Sequence, residues 1–301
     1  MTAIPENAIS ARSWSMLLLL GVIWGGSFFF SRIAVMEVEA FTLVLARVSL
    51  AAAALWVVMA AQGVRPAAIL AMPLAFLGLG LLNNVIPFSL IFMGQTELGA
   101  GLASVLNATT PFWTIAIARL MTDDGPVARH RLLGIAIGIA GTAIMLMPSL
   151  SGALASPLWA KLCVVAAALS YGAVGTYARR FRNVPPLEMA AGQLTGSTVL
   201  MIPLVALFGA PATLTNASQP VLGAIVLMAL VSTAFAYLLF FRLMRDAGPT
   251  NTSLVTLIVP VSAVLLGALF LDERLEAIEL AGMALILLGL LVIDGRLFSR
   301  R

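Results

Sequence analysis

The sequence predicts an all-α membrane protein with ten transmembrane helices arranged as a five-plus-five inverted repeat. Three observations predict it: a composition suited to lipid, basic residues that sort by loop, and a long internal repeat. Of the 301 residues, 61% are hydrophobic and 10% are charged, whereas a soluble domain is about one quarter charged. A surface so poor in charge requires a lipid solvent, in which the backbone forms only helices or closed barrels. The alternation of barrel strands is absent, so helices are predicted.

The individual helices follow from the length of the apolar segments. A bilayer core about 30 Å thick needs about 20 apolar residues per helix. Ten segments meet this requirement, at residues 15–35, 40–61, 67–93, 98–118, 131–147, 157–178, 187–208, 220–241, 249–270 and 275–293. The third segment is long and carries Pro73 near its start, so its first turn is expected in the membrane interface.

The basic residues are concentrated in every second loop between the segments. Thirteen of the seventeen lie before segment one, after the even-numbered segments, or at the end of the chain. This distribution is the positive-inside signal of cytoplasmic loops. We therefore predict a multi-pass protein of the bacterial inner membrane with both termini in the cytoplasm, and no nucleic-acid partner despite the formal net charge of +4.

A pattern of glycine, proline and acidic residues occurs twice. Gly99 is followed by Pro111 and then by Asp123-Asp124, and Gly248 is followed at the same spacing by Pro260 and then by Asp272-Glu273. We predict a first repeat at residues 15–148 and a second at 149–295, between cytoplasmic tails at 1–14 and 296–301. Because each repeat holds five helices, an odd number, the second must enter the membrane from the opposite side. Secondary transporters with inverted repeats bind substrate near the midplane, where the repeats meet.

Arg47 lies within the second segment, about seven residues from its start. At about 1.5 Å per residue this is roughly 10 Å below that end. Charges at such depth usually face the bundle interior or a wet cavity. Two interpretations stay open: a contact for a substrate carboxylate, or a structural arginine that ties carbonyl groups or a loop carboxylate such as Glu97 or Glu276. The corresponding residue of the second repeat is Gln193, which is polar and neutral.

Other polar and aromatic residues recur at corresponding depths. Unpaired polar groups in lipid cost several kcal/mol, so they either bond neighbouring helices or line a cavity. Glycines and prolines near them permit close packing or bending, and a purely structural role for these residues is the alternative. The predicted substrate-binding residues are Trp24, Arg47, Asn83, Phe88, Asn107, Trp113, Tyr171, Gln193, Tyr237, Ser253 and Thr256. The predicted hinge or packing residues are Gly25, Gly26, Pro87, Pro111 and Pro260.

The sequence lacks the residues that several classes of function require. There is no phosphate-binding glycine loop, zinc motif or Ser/His/Asp set, so we predict neither an enzyme, a metal nor a cofactor. The carboxylates lie at segment ends or in loops, which leaves no embedded acid for ion coupling. The single cysteine, Cys163, excludes an internal disulfide. The expected partners are the lipid bilayer and a small-molecule substrate, and the pattern does not distinguish a monomer from a dimer.

These residues resemble the drug/metabolite transporter superfamily, EamA family. The resemblance rests on Trp24-Gly25-Gly26-Ser27-Phe28, Arg47, the Pro111 and Pro260 segments and Asp272-Glu273, and it covers nearly the whole chain. Within the superfamily the chain is similar to the YddG-type aromatic amino-acid exporters. This resemblance implies alternating access through a hydrophobic, aromatic-lined cavity built from both halves.

We therefore expect an inner-membrane exporter of small neutral metabolites, amino acids including aromatic ones first. The alternatives are a broad-range drug or metabolite efflux protein and a membrane scaffold that transports nothing. The resemblance makes phosphate-bearing cargoes a poor match, because Arg47 is the only basic residue expected at the cavity. The resemblance also makes proton-coupled export of cationic drugs a poor match, because segment one contains no glutamate.

Overall fold

A computed structural model describes residues 10–121, 128–150 and 156–294. Within these ranges every regular element is helical and no strand is present. Eight helices are long and apolar enough to cross a membrane, and Val255–Phe270 is a shorter apolar helix. The chain is therefore a multi-pass, all-helical membrane protein, and the predicted fold class is confirmed at that level.

The elements occur in the following order. In the first half they are α1 (Ala11–Ala34), α2 (Ala40–Ala61), α3 (Ala67–Ala71), α4 (Pro73–Gly80), a π-helical segment (Leu81–Val85), α5 (Ile86–Gln95), α6 (Ala100–Asn107), α7 (Thr110–Met121) and α8 (Arg129–Leu150). In the second half they are α9 (Leu158–Tyr177), a 3-10 turn (Ala178–Phe181), α10 (Pro186–Phe208), α11 (Pro211–Thr215), α12 (Gln219–Ala229), a π-helical segment (Leu230–Phe235), α13 (Ala236–Thr252), α14 (Val255–Phe270) and α15 (Ala277–Asp294).

The predicted fourth segment is broken into two helices, α6 and α7. The break precedes Pro111, which lies in the first turn of α7. Proline has no N–H to donate and its ring obstructs the preceding turn, so a helix readily starts there. Hydroxyl groups satisfy the carbonyl groups at the break: Thr109 Oγ1 donates to Leu106 O at 2.7 Å, and Thr110 Oγ1 donates to Asn107 O at 2.8 Å.

The predicted start of segment nine, residue 249, follows directly after a kink at Gly248. Helix α13 (Ala236–Thr252) consists of two helical stretches on either side of this residue, which is non-helical with φ 79°, a conformation that side chains oppose and glycine adopts freely. Helix α14 starts only at Val255 and contains Pro260 in its interior. The chain thus turns well before Pro260, whereas the first half turns immediately before Pro111.

The two π-helical segments occupy corresponding places in the two halves. Leu81 starts the first and Leu230 the second, 149 positions later. Pro87 follows the first segment in the opening turn of α5. A π-helical turn widens the helix and redirects the side chains next to it, and such turns are frequent at functional sites.

Two glycines at corresponding places make matching contacts between the halves. A Cβ on Gly25 of α1 would lie 2.9 Å from Ala263 N of α14, and one on Gly172 of α9 would lie 3.0 Å from Thr114 N of α7. Ala263 follows Thr114 by the same 149 positions. Each glycine thus lets one half pack its first long helix directly on the broken or proline-containing helix of the other half.

Helices α8 and α15 form a pair at the side of the bundle. A Cβ on Gly134 would lie 2.6 Å from Gly289 O, so the two backbones are in contact there. The pair is joined to α9 by Lys161, whose Nζ donates to Met145 O at 2.9 Å and lies 3.5 Å from Glu279 Oε1. Lys161 is fully buried and Glu279 is 4% exposed, so this ion pair is shielded from solvent.

Candidate functional site

A cavity of about 620 Å³ lies between the two halves. Its wall combines residues of α1, α2, α5, α6 and α7 with residues of α9, α10, α13 and α14, and both π-helical segments contribute. Nine of the eleven predicted substrate-binding residues lie on this wall, so the sequence pattern located most of one continuous surface. They are Trp24, Arg47, Asn83, Phe88, Asn107, Tyr171, Gln193, Tyr237 and Thr256.

Trp113 is not part of the wall, contrary to the prediction. It lies on the face of α7 that packs against α9, where a Cβ on Gly172 would come within 2.7 Å of its Cβ. Trp113 corresponds in the repeat to Ser262 of α14, whose Cβ lies 2.8 Å from the equivalent point on Gly25. The indole therefore lies at a helix-packing position, and its Nε1 has no hydrogen-bond partner among the described residues.

Ser253 is likewise absent from the cavity wall. It lies in the turn between α13 and α14 and is exposed. Its carbonyl oxygen accepts a hydrogen bond from Thr256 Oγ1 at 2.7 Å. This turn interrupts the predicted segment at residues 249–270, so Ser253 lies outside the helical face to which the prediction assigned it.

Amide and hydroxyl groups link the two halves along one side of the cavity. Asn83 Nδ2 donates to Gln193 Oε1 at 2.8 Å. Asn84 is fully buried; its Oδ1 accepts from Tyr237 OH at 2.9 Å and its Nδ2 donates to Ser197 Oγ at 2.9 Å. Bonds of this kind satisfy polar groups in the bundle interior, so Asn83, Gln193 and Tyr237 have structural partners as well as cavity exposure.

Arg47 extends into the cavity and is 5% exposed. Its Nε donates to Thr233 Oγ1 at 2.8 Å, and its guanidinium carbon lies 3.9 Å from the centroid of the Phe88 ring. Thr233 Oγ1 in turn donates to Met228 O at 2.9 Å, so it accepts the arginine proton. The structural alternative of a pair with Glu97 or Glu276 is not realised, since neither forms an ion pair with Arg47.

Aromatic rings form much of the remaining wall, and sequence reasoning missed several of them. Phe88 and Phe92 stack with centroids 6.2 Å apart, and Tyr237 and Phe241 lie 6.4 Å apart. Both pairs are one helical turn apart, and residues four apart share a helix face. This spacing was the available signal for Phe92 and Phe241.

The cavity wall extends from a buried residue, Ser31, at one end to an exposed residue at the other. Ser31 Oγ donates to Gln95 Oε1 at 2.5 Å, and Gln95 Nε2 donates to Phe28 O at 2.8 Å. Glu273 Oε1 accepts from Ala100 N at 2.9 Å. At the opposite end the wall reaches Arg182, which is exposed.

None of the five predicted hinge residues is on the cavity wall, but each is next in the chain to a wall residue. Gly25 contacts α14 directly, while the atoms nearest to a Cβ on Gly26 would be 3.8 Å away. Pro87 and Pro111 lie in the first turns of α5 and α7, and Pro260 is inside α14. Movement at these residues stays a prediction. Within the described ranges, no three His, Cys, Asp or Glu side chains lie close enough together to hold a metal ion.

The chain is similar to known transporters along most of its length. YedA, an uncharacterized inner membrane transporter of Escherichia coli (strain K12), is 26% identical over 281 residues, 92% of this chain and 89% of its own. YoaV, an uncharacterized transporter of Bacillus subtilis (strain 168), is 24% identical over 228 residues, 75% of this chain and 77% of its own. A probable amino-acid metabolite efflux pump of Escherichia coli (strain K12) is 25% identical over 227 residues, 72% of this chain and 75% of its own.

A solved crystal structure has the same fold. It is 18% identical and superposes with a TM-score of 0.67 over 97% of this chain and 100% of its own. The EamA-like transporter family model matches twice, at residues 12–147 and 158–294. The two matches lie on the two halves that enclose the cavity. The protein therefore belongs to the EamA-like transporter family.

Proposed function

We propose that this transporter exports small neutral metabolites, most of all amino acids including aromatic ones, by alternating access through the cavity between its halves. One observation carries the proposal: a cavity of about 620 Å³ that both halves line with aromatic rings and a few amide and hydroxyl groups. Its volume suits a small molecule. The relative that is named a probable amino-acid metabolite efflux pump supports the same class of substrate.

We further propose ten membrane crossings in an inverted five-plus-five repeat, with repeats at residues 15–148 and 149–295. The tails at 1–14 and 296–301 are then cytoplasmic. The double family match and the equal spacing of the two π-helical segments support two equivalent halves. Each half has five crossings if α6 and α7 together are counted as one crossing and the shorter helix α14 is counted as another. The basic loops support cytoplasmic termini.

Cysteine accessibility tests this orientation. In a Cys163→Ser background, Arg65→Cys should be protected from a membrane-impermeant maleimide added to intact cells, because it lies in a predicted cytoplasmic loop. Thr215→Cys, in the short helix α11 on the opposite side, should be labelled. Both residues are exposed, so each should react after the membrane is permeabilised. Labelling of both in intact cells would contradict the inverted arrangement, and labelling of Arg65→Cys alone would contradict the cytoplasmic termini.

With this orientation we propose that the structure is an inward-facing state. The Ser31 end, where Gln95 and Glu273 bond neighbouring helices, then lies at the outer side and is closed by these bonds. The end that reaches Arg182 lies at the cytoplasmic side. An exporter in this state is ready to receive substrate from the cytoplasm. To release it, the outer contacts of Gln95 and Glu273 must break while the cytoplasmic end closes.

A flux assay with a matched pair of variants tests the cavity as the transport path. Purified protein in liposomes should give saturable counterflow of labelled amino acids. Tyr237→Ala should reduce flux of aromatic substrates about tenfold relative to small ones, since one lost apolar contact is worth about 1–3 kcal/mol. Phe235→Ala, two residues earlier on the lipid-facing side and 46% exposed, should leave flux unchanged. No saturable flux for any panel member would favour a scaffold.

A further inference from the structure

We propose that the group this cavity recognises is a carboxylate, bound by Arg47, and that an ammonium group is dispensable. The substrate class is then apolar and aromatic monocarboxylic acids, of which amino acids are one subset. This inference rests on the proposed function, because it assigns the chemistry of the same cavity.

The first support is the unfilled donor capacity of Arg47. Its Nε is bonded to Thr233 and one ring face covers its guanidinium carbon, while the ion pairs of the described residues all involve other side chains. A buried charge in a membrane protein normally has a counter-charge. The two terminal nitrogen atoms of a guanidinium form a planar fork that matches the two oxygens of a carboxylate. A bound acid would supply the missing counter-charge.

The second support is the charge of the wall as a whole. The charged residues on it are Arg47 and Arg182, both positive, and no described wall residue is acidic. A cationic ligand would therefore meet repulsion and no ion-pair partner.

The third support is the position of Arg182. It lies at the end of the cavity that reaches the surface, and Arg179 and Arg180 precede it. A mouth with one sign of charge attracts ligands of the opposite sign and accelerates their entry. Positive charge thus occurs at the mouth and again in the interior, which is the distribution an anionic group would follow from solvent to Arg47.

Three ligands that share a phenylethyl group test the proposal by equilibrium binding to the purified full-length protein. Phenylalanine carries both groups, 3-phenylpropanoate only the carboxylate, and 2-phenylethylamine only the ammonium. Calorimetry should give 3-phenylpropanoate an affinity equal to or above that of phenylalanine, and at least about tenfold above that of the amine. Equal affinity for acid and amine, or no binding of any of the three, would overturn the proposal.

Variants locate the recognition. Arg47→Gln should weaken binding of 3-phenylpropanoate about tenfold to a hundredfold and erase its advantage over the amine. Arg47→Lys keeps the charge without the fork, so it should retain a reduced preference for the acid even if Arg47→Gln does not fold. Unchanged affinity of the acid in a folded Arg47→Gln protein would refute the assignment.

A matched pair of variants, Arg182→Gln and Arg180→Gln, tests the entry path at the mouth of the cavity. Both arginines are exposed, but Arg180 lies over the Tyr177 ring, 4.3 Å from its centroid, and is absent from the cavity wall. Arg182→Gln should slow association of the acid several-fold at low salt and little at high salt, while Arg180→Gln should not. Equal rates for the two variants would count against the entry path.

The binding and flux experiments can fail independently, so they distinguish the carboxylate assignment from the proposed export. If the acid binds but no compound is transported, the proposed export is wrong and the carboxylate assignment stands. If amino acids are transported while 3-phenylpropanoate neither binds nor competes, export stands and the carboxylate assignment is wrong.

Discussion

Lys161→Met is expected to destabilise the protein by about 3–5 kcal/mol, because it leaves a buried carboxylate without its cation. Lys161 is fully buried and lies 3.5 Å from Glu279 Oε1. The remaining bond to that carboxylate is from Glu276 N to Glu279 Oε2, at 3.1 Å. One neutral donor does not compensate a buried charge. Unfolding in mixed micelles, followed as a function of the denaturing detergent, measures the loss.

A second substitution separates the charge from the packing. Lys161→Met with Glu279→Gln removes both charges and should recover a large part of the lost stability, since replacing a whole buried pair is often neutral. The surface carboxylate of Asp246, 3.7 Å from Arg242 Nε and 3.2 Å from Arg245 Nε, provides the control. Asp246→Asn should cost less than about 1 kcal/mol. If Lys161→Met proves no more costly than Asp246→Asn, the buried pair does not fasten α8 and α15 to α9.

Gly25→Ala is expected to be the second most damaging change, at about 1–3 kcal/mol. Its new Cβ would lie 2.8 Å from Ser262 Cβ and 2.9 Å from Ala263 N. Because the second of these atoms belongs to the backbone of α14, a side-chain rotation cannot relieve the overlap. The helices must separate, which also disturbs the bond from Ser262 Oγ to Gly21 O at 2.9 Å.

The neighbouring glycine is the matched control. A Cβ on Gly26 would be 3.8 Å from Phe30 and 3.9 Å from Leu266, which is ordinary contact. Gly26→Ala should therefore be neutral or stabilising by up to about 1 kcal/mol, because alanine is the better helix former. The same detergent titration compares the two. Equal stability of the two variants would show that α1 and α14 do not meet through Gly25.

Composition and repetition were enough to predict the coarse architecture. A chain this apolar has to satisfy its backbone within helices, and the repeated Gly–Pro–acid pattern located two halves that the family model also matches. Polar and aromatic residues buried in apolar segments pointed to the cavity wall, and nine of eleven lie there. The reason is general: lipid penalises polar groups so strongly that they collect where the bundle offers partners or space.

Contacts between helices set which face of each helix meets the cavity. The helices are apolar on nearly all sides, so their sequences carry little signal of orientation. Trp113 packs on Gly172 of α9, and Arg47 bonds Thr233 and lies over the Phe88 ring at the cavity wall. Both outcomes depend on close contacts between residues far apart in the chain, which the pattern along a single helix does not encode. Composition and the repeated pattern are therefore sufficient to predict apolar helices in two halves, whereas the side chains that line the cavity depend on how those halves pack together.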